Sequence, residues 1–232
     1  MITRLKVKSK QIYRPGVQPR RRDADAPRRR AIIEAAIAVI ARHSLSSTTI
    51  ERVAHEARVS PGTVMFHFDR KEALLVATME HVAEEFEAVR ADALAVAGDD
   101  PVRALEALIE VTFDPRVSDP KRIAVWYAFW GEAWARQAYL DRIGSLDAAY
   151  QADLTRLCRA LARHTESSRH IDAEAVALGL AGLMGGLWEE MLTDGRHFDR
   201  ARAQRLSRSY LETIFPGLFG PNVTVMKQET RT

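Results

Sequence analysis

The distribution of proline is the feature that most restricts how this chain can fold. No proline occurs from residue 121 to residue 215, and this segment is rich in Ala, Leu, Arg and Glu. Proline interrupts helices, whereas these four residue types favour them. β-Strands would show alternating apolar and polar residues between turn residues, and no segment shows this alternation clearly. The sequence therefore predicts an all-α fold.

Capping residues predict where the helices begin. Proline is common in the first turn of a helix, and Ser or Asp is common at the N-cap position just before that turn. Starts are therefore predicted near Pro27, Pro61, Pro101 and Pro120. Two capping boxes, at residues 48–51 and 69–72, predict two more starts, with Thr48 as the cap of the first. The predicted helices span roughly residues 27–43, 48–57, 60–66, 71–97, 102–113, 121–135, 145–163, 172–194 and 200–214.

Charge is distributed unevenly along the chain. Residues 1–30 hold eleven Lys or Arg and two Asp, although the net charge of the whole chain is only +3. A basic N-terminal segment on a mildly acidic remainder suggests a polyanionic partner at that end, with a solvated tail as the alternative.

Two further features bear on the compartment. The single cysteine, Cys158, excludes an intramolecular disulfide framework and is compatible with a reducing cytoplasm. The longest uncharged stretch, residues 175–188, is shorter than the roughly 20 apolar residues that cross a bilayer. Since no signal-peptide pattern precedes it, we expect a cytoplasmic protein without a membrane span.

Residues 31–68 contain two short predicted helices joined by a tight turn and backed by a third. This is the unit that places a helix in the major groove of DNA. Its spaced residues resemble the signature of the TetR family of regulators. The matching positions are Thr49, Val53, Ala54, Ala57, Val59, Ser60, Gly62, Phe68, Lys71 and Leu74.

The resemblance implies a recognition helix from Ser60 to His67 and a phosphate contact from Lys71. Arg58 stands where the family usually has glycine because the turn needs a positive φ, so we expect about 1 kcal/mol of backbone strain there. Met65 and the pair Phe66–His67 also depart from the family, so no operator sequence carries over. The implied DNA-binding residues are Thr48, Thr49, Arg58, Ser60, Gly62, Thr63, Met65, Phe66, His67 and Lys71.

Aromatic residues cluster in the second half of the chain. Trp126, Trp130 and Trp134 recur every four residues, which predicts a stripe of indoles along one helix. Such a stripe lines a pocket or forms ordinary core, and the pattern leaves both open. The runs 112–114, 126–130 and 185–188 resemble the C-terminal domain of BetI-type repressors, which are choline-responsive.

This second resemblance implies a small-molecule effector and suggests choline or a related cation, since quaternary ammonium groups bind aromatic faces. The implied ligand-binding residues are Phe113, Asp114, Trp126, Trp130, Trp134, Trp188 and Glu189.

The family resemblance also implies a homodimer in which helices 145–163 and 172–194 pair across a twofold axis. Close packing within one chain is the alternative explanation for their small residues. The expected organisation is a basic flexible arm (1–26), a helix-turn-helix DNA-binding domain (27–71), a helical ligand-binding and dimerisation domain (72–217) and a loose tail (218–232).

No nucleophile elbow, phosphate loop, dinucleotide fingerprint or zinc motif occurs, so we expect no enzyme, no cofactor and no metal. The expected function is a repressor that binds a palindromic double-stranded operator as a homodimer and is released by a small-molecule inducer. The alternative is a nonspecific chromosome-associated DNA-binding protein without a ligand, in which the aromatic stripe is core.

Overall fold

A computed structural model of the chain describes residues 20–164, 170–195 and 197–220. Within these ranges the chain forms α-helices and no strand, which confirms the predicted fold class. The helices are α1 (Arg20–His43), α2 (Ile50–Ala57), α3 (Pro61–Phe68), α4 (Lys71–Ala97), α5 (Pro101–Thr112), α6 (Pro120–Gly131), α7 (Ala133–Arg142), α8 (Gly144–His164), α9 (Ala173–Thr193) and α10 (Arg200–Ile214).

Aspartate caps fix the starts of the later helices. The Asp100 carboxylate accepts hydrogen bonds from the amides of Val102 and Arg103, and Asp119 accepts one from the amide of Lys121. In both cases proline follows the cap, so the predicted starts are confirmed. The predicted span of the last helix, 200–214, also agrees with α10.

Two predicted boundaries are wrong. Helix α1 begins at Arg20 rather than at Pro27, which lies inside it. Proline removes a single backbone hydrogen bond there, and the helix continues across it. The described part of the predicted arm, residues 20–26, is therefore helical, and residues 1–19 lie outside the described ranges.

The predicted helix 121–135 divides after Gly131, a residue that disfavours helix interiors. Glu132 adopts an extended backbone, and α7 begins at Ala133. Trp134 therefore belongs to α7, and the prediction of one continuous indole stripe is wrong.

Buried residues form two clusters. The first joins α1–α4 to α6, α7 and the start of α8 and includes Val53, Val125 and Phe129. The second joins α5 and α8–α10 and includes Ile123 and Leu180. Helix α6 contributes to both, so it connects the helix-turn-helix to the rest of the molecule.

Helices α9 and α10 approach closely at one glycine. A Cβ atom built on Gly179 would lie 2.2 Å from the Tyr210 Oη atom, which no real contact tolerates. The Tyr210 hydroxyl donates a hydrogen bond to the Val176 carbonyl, 3.2 Å away. The absence of a side chain at residue 179 is therefore what lets α10 pack here.

Helix α9 is the one helix among the described residues that is long and apolar enough to cross a membrane, with a mean hydropathy of 1.3. The full helix exceeds the uncharged stretch at 175–188 on which the sequence prediction relied. Its residues Leu180, Met184 and Leu187 are buried in the second cluster, and 33% of the apolar window is buried within the chain.

Candidate DNA-binding surface and effector cavity

Helix α3 buries one face and exposes the other. The Ser60 hydroxyl caps its start by accepting a hydrogen bond from the Thr63 amide, at 3.1 Å. Val64 and Phe68 are buried in the first cluster, whereas Met65 is 40% exposed and Phe66 is 75% exposed. Helix α3 therefore presents two adjacent apolar side chains on its exposed face. His67 is partly exposed and lies edge-on to Phe66, with ring centroids 5.3 Å apart.

The turn between α2 and α3 has the backbone conformation expected at Arg58. Its φ of 56° and ψ of 42° lie in the left-handed region, so the predicted positive φ is confirmed. The Arg58 side chain is exposed beside α3. Gly62 is exposed too, and an added Cβ atom would meet only the Ser60 Oγ atom, 3.8 Å away. The fold itself therefore does not require glycine at residue 62.

The structure differs from the prediction at both capping boxes. Thr49, not Thr48, caps α2 by accepting a hydrogen bond from the Arg52 amide. Thr48 is 1% exposed and donates a hydrogen bond to the Ser44 carbonyl, so it cannot reach DNA without unfolding. Asp69 ends α3 with a φ of 50°, and α4 begins after Arg70 without a side-chain cap.

Lys71 lies at the N-terminus of α4 and faces the loop between α1 and α2. Its Nζ atom donates a hydrogen bond to the Ser46 carbonyl, 3.0 Å away. The ammonium group has two further donors, and it adds positive charge to a helix N-terminus, where anions bind favourably.

A cavity of about 370 Å³ lies between α4, α6, α8 and α9. Three of the predicted ligand-binding residues, Trp126, Trp130 and Trp188, line it. The other described lining residues are Ala83, Phe86, Glu87, Thr112, Tyr127, Leu146, Asp147, Tyr150, Gln151, Ala181, Met184 and Gly185.

Four predicted ligand-binding residues do not belong to this described lining. Phe113 is 1% exposed and packs against Phe198 in the second cluster, because α5 turns it inward. Asp114 is paired with Arg116, at 2.6 Å. Glu189 is exposed outside the cavity. The side chain of Trp134 lies outside the described residues.

Aromatic rings form the inner wall of the cavity. The ring of Phe86 lies edge-on to Trp126, Tyr150 and Trp188, at centroid distances of 6.5, 5.9 and 6.1 Å. Sequence reasoning missed Phe86 and Tyr150 as cavity residues. Phe86 belongs to the predicted apolar face of α4, but that periodicity does not distinguish a cavity wall from core.

Polar atoms of the wall are bonded to other parts of the chain. The Trp188 indole N–H donates to the Thr112 carbonyl, and the Tyr127 hydroxyl donates to the Gly185 carbonyl, both at 2.8 Å. The hydroxyls of Thr112 and Tyr150 lie 3.3 Å apart. A guest molecule therefore meets ring faces and edges together with the side chains of Asp147 and Gln151.

Two carboxylates, Glu87 and Asp147, supply the formal charge of the described lining, which holds no Lys, Arg or His. Both Glu87 oxygens accept hydrogen bonds from the buried Arg90, at 2.7 and 2.6 Å. Arg90 also pairs with Asp153. Hydrogen bonding to Glu87 raises the pKa of Arg90, so this guanidinium stays charged behind the wall.

An ionic bridge centred on Arg122 connects α1, α4 and α6. The Arg122 guanidinium donates to Glu85 at 2.8 Å and to Glu34 at 3.1 Å. His81 lies 3.4 Å from Glu34 and 3.3 Å from Glu85, and its hydrogen bond lowers the pKa of Glu34. Arg122 precedes Trp126 by one helical turn, so the bridge lies beside the cavity.

Glu34, His81 and Glu85 also offer three atoms within 4.8 Å of one another that could hold a metal ion. The Arg122 guanidinium already supplies positive charge to both carboxylates. The arrangement is therefore that of a salt-bridge network.

Comparisons with known proteins agree with this architecture. Residues 32–78 match the family model of bacterial regulatory proteins, tetR family. Residues 101–216 match the model of the BetI-type transcriptional repressor, C-terminal. The chain is 32% identical over 187 residues to the HTH-type transcriptional regulator BetI of Burkholderia thailandensis, with 81% of this chain and 93% of that protein covered.

Solved structures share the fold. A transcriptional regulator from Pseudomonas aeruginosa PAO1 superimposes with a TM-score of 0.68 at 25% identity, over 84% of this chain and 93% of that one. A regulator from Saccharomonospora viridis, solved in complex with choline, gives a TM-score of 0.63 at 22% identity, over 81% and 96%. The chain therefore belongs to the TetR family of transcriptional regulators and carries a BetI-type C-terminal domain.

Proposed function

We propose that this chain is a cytoplasmic homodimeric repressor that binds a palindromic operator through α3 and is released by an organic cation. The observation that carries the proposal is the aromatic cavity with two carboxylates, which lies one helical turn from the Arg122 bridge to α1. Effector binding and the position of the helix-turn-helix thereby share α4 and α6.

The proposed DNA contacts come from the exposed side of the helix-turn-helix. Thr63, Met65, Phe66 and His67 on α3 face base edges, where exposed apolar groups suit the thymine methyl. Phosphate contacts come from the amides and side chains at helix starts and from two cationic residues. This second group comprises Thr49, Arg58, Ser60, Gly62 and Lys71, and the buried Thr48 is withdrawn.

The proposed effector is choline or a related cation. Aromatic faces attract cations, and the two carboxylates disfavour anionic guests. Trp126, Trp130 and Trp188 remain in the proposed site, whereas Phe113, Asp114 and Glu189 are withdrawn because they do not line the cavity. Trp134 stays a prediction. The regulator from Saccharomonospora viridis that was solved in complex with choline supports this class of effector.

The proposed dimer uses α8 and α9. Ala148, Ala149 and Ala152 form an exposed small-residue face on α8, and Leu178 and Gly182 continue it on α9. Two such faces, related by a twofold axis, would build a four-helix interface and place two α3 helices on one side of the DNA. We accordingly assign DNA binding to residues 27–71 and effector binding and dimerisation to residues 72–217. Residues 1–19 keep the predicted role of a basic arm. Phe219 is 5% exposed and packs in the second cluster, so only residues 221–232 keep the predicted role of a loose tail.

In the proposed mechanism, a cation entering the cavity shifts α4 and α6 against each other. The Arg122 bridge transmits this shift to α1, and the spacing of the two α3 helices changes. Effector and operator then weaken each other's binding by the same factor, as linkage requires.

The test is selection of bound sequences from a random DNA pool by the purified full chain, repeated with choline or another organic cation present. The proposal expects a palindromic motif without ligand and its loss with an organic cation. Equal displacement by every competitor sequence would favour the nonspecific DNA-binding alternative. If no organic cation reduces binding to the selected motif, the effector part of the proposal is wrong.

A further inference from the structure

We infer that the cavity is built for an organic cation considerably larger than choline, with a cationic head and an apolar, preferably aromatic, body. This inference rests on the proposed function and specifies its ligand. It follows from the size of the cavity, from how its polar atoms are used and from the position of Trp130.

The size of the cavity exceeds what choline fills. Its volume of about 370 Å³ falls in the range of roughly 300–1,000 Å³ that is typical of sites for drug-sized ligands. Choline has about seven non-hydrogen atoms. Choline is therefore smaller than the drug-sized ligands that cavities of this volume typically hold.

The lining favours an apolar body rather than a second polar group. Phe86, Trp126, Tyr150 and Trp188 present ring edges and faces to the cavity. The Trp188 N–H and the Tyr127 hydroxyl are bonded to backbone carbonyls. These two groups are therefore already engaged within the chain, whereas an aromatic ring finds offset and edge-on contacts along the wall.

The outer end of the cavity points to a long ligand. Trp130 lines the cavity although its side chain is 56% exposed. It lies one helical turn beyond Trp126, toward the end of α6. A ligand whose head occupies the inner wall must extend by at least one turn, about 5 Å, to stack on this indole.

The charged residues of the lining indicate where the cationic head of the ligand binds. Glu87 shares Arg90 with Asp153, so these three groups together keep a net negative charge behind the wall. Asp147, on α8, is the second lining carboxylate. The head group is therefore expected to respond to Asp147, and the body to Trp130.

The test compares three molecules by isothermal titration calorimetry on the full chain without DNA. These are choline, (3-phenylpropyl)trimethylammonium and the uncharged isostere of the latter in which carbon replaces the quaternary nitrogen. We expect the phenylpropyl cation to bind about a hundredfold more tightly than choline and at least tenfold more tightly than the isostere. Choline binding as tightly as the phenylpropyl cation would overturn the inference, as would equal binding of the isostere or no binding of any of the three.

Single substitutions test which residue binds the cationic head of the ligand and which binds its apolar body. Trp130→Leu should weaken the phenylpropyl cation about tenfold and leave choline within twofold. Asp147→Asn should weaken both cations about tenfold, whereas Asp99→Asn, a matched change at an exposed residue after α4, should leave both unchanged. Equal loss for the two cations in Trp130→Leu would contradict the placement of the body. Operator selection on ligand-free protein tests the proposed function separately, since it can succeed while the size series fails.

Discussion

At residue 58 the requirements of the backbone and of DNA binding differ. The left-handed backbone of Arg58 favours glycine, yet an exposed guanidinium beside α3 is well placed to contact a phosphate. Strain that persists at a surface turn is consistent with a functional side chain. The two contributions are separable by substitution.

Replacing Arg58 with glycine should relieve about 1 kcal/mol of strain, partly offset by the greater freedom of glycine in the unfolded chain. We expect urea unfolding at fixed protein concentration to show unchanged or slightly higher stability. If Arg58 contacts one phosphate, the slope of log affinity against log salt should fall by about 0.9 per subunit. Arg58→Lys is the matched control that retains the charge and the slope. An unchanged slope in Arg58→Gly would remove Arg58 from the DNA contacts.

The close approach at Gly179 yields a second prediction at this scale. Gly179→Ala should destabilise the fold by roughly 1–2 kcal/mol, because overpacking against Tyr210 outweighs the better helix propensity of alanine. Gly131→Ala, where nothing lies within 4 Å, is the control and should be neutral or stabilising in urea unfolding. Adding Tyr210→Phe should restore part of the loss. No recovery in the double variant would show that the clash is not with the hydroxyl.

At the scale of the helices, the Arg122 bridge is a polar link from α6 to α1 that adds to their packing in the first cluster. Arg122 is bonded to α1 through Glu34 and to α4 through Glu85. Glu34→Gln should therefore weaken the connection to α1 while leaving α4 and α6 joined. The helices that form the cavity are unchanged, so effector affinity should stay within about twofold.

The expected result of Glu34→Gln is a roughly fivefold smaller loss of operator affinity on ligand addition, or about 1 kcal/mol of coupling. Operator affinity with and without saturating cation, measured by fluorescence anisotropy, gives this ratio. Glu110→Gln removes an exposed partner of Arg208 far from the bridge and serves as control. An unaltered ratio in Glu34→Gln would exclude the bridge as the route of coupling.

The helices also show what sequence reasoning can reach. The starts of α5 and α6 were predictable because Asp100 and Asp119 cap them locally, within three residues. Thr48 and Thr49 are equally good caps by type, and only packing shows that Thr48 is buried. The break at Glu132 was missed because tryptophan spacing fits a continuous helix. In the cavity wall, Phe86 on α4 contacts Tyr150 on α8. Local sequence patterns do not predict contacts between residues this far apart in the chain.

For the whole molecule, function as proposed requires two copies. One α3 helix reads one half-site, and high operator affinity depends on two half-sites being bound at once. The large apolar side chain of the proposed face is Leu178, which is 65% exposed in the single chain. Exposure alone does not locate an interface, since Leu140 on α7 is 56% exposed. The proposal selects Leu178 because it lies on α9, one of the two helices assigned to the dimer.

Leu178→Glu should therefore dissociate the dimer. Burying an unpaired carboxylate at an interface costs on the order of 3 kcal/mol, which raises the dimer dissociation constant more than a hundredfold. Sedimentation velocity should show a monomer with unchanged helical content, and operator affinity should fall with it. Leu140→Glu makes the same change at a side chain that is 56% exposed on α7 and should remain dimeric. A dimeric Leu178→Glu would place the twofold interface elsewhere, and a monomeric native chain that still selects a palindrome would show that DNA, rather than the α8–α9 face, brings the two copies together.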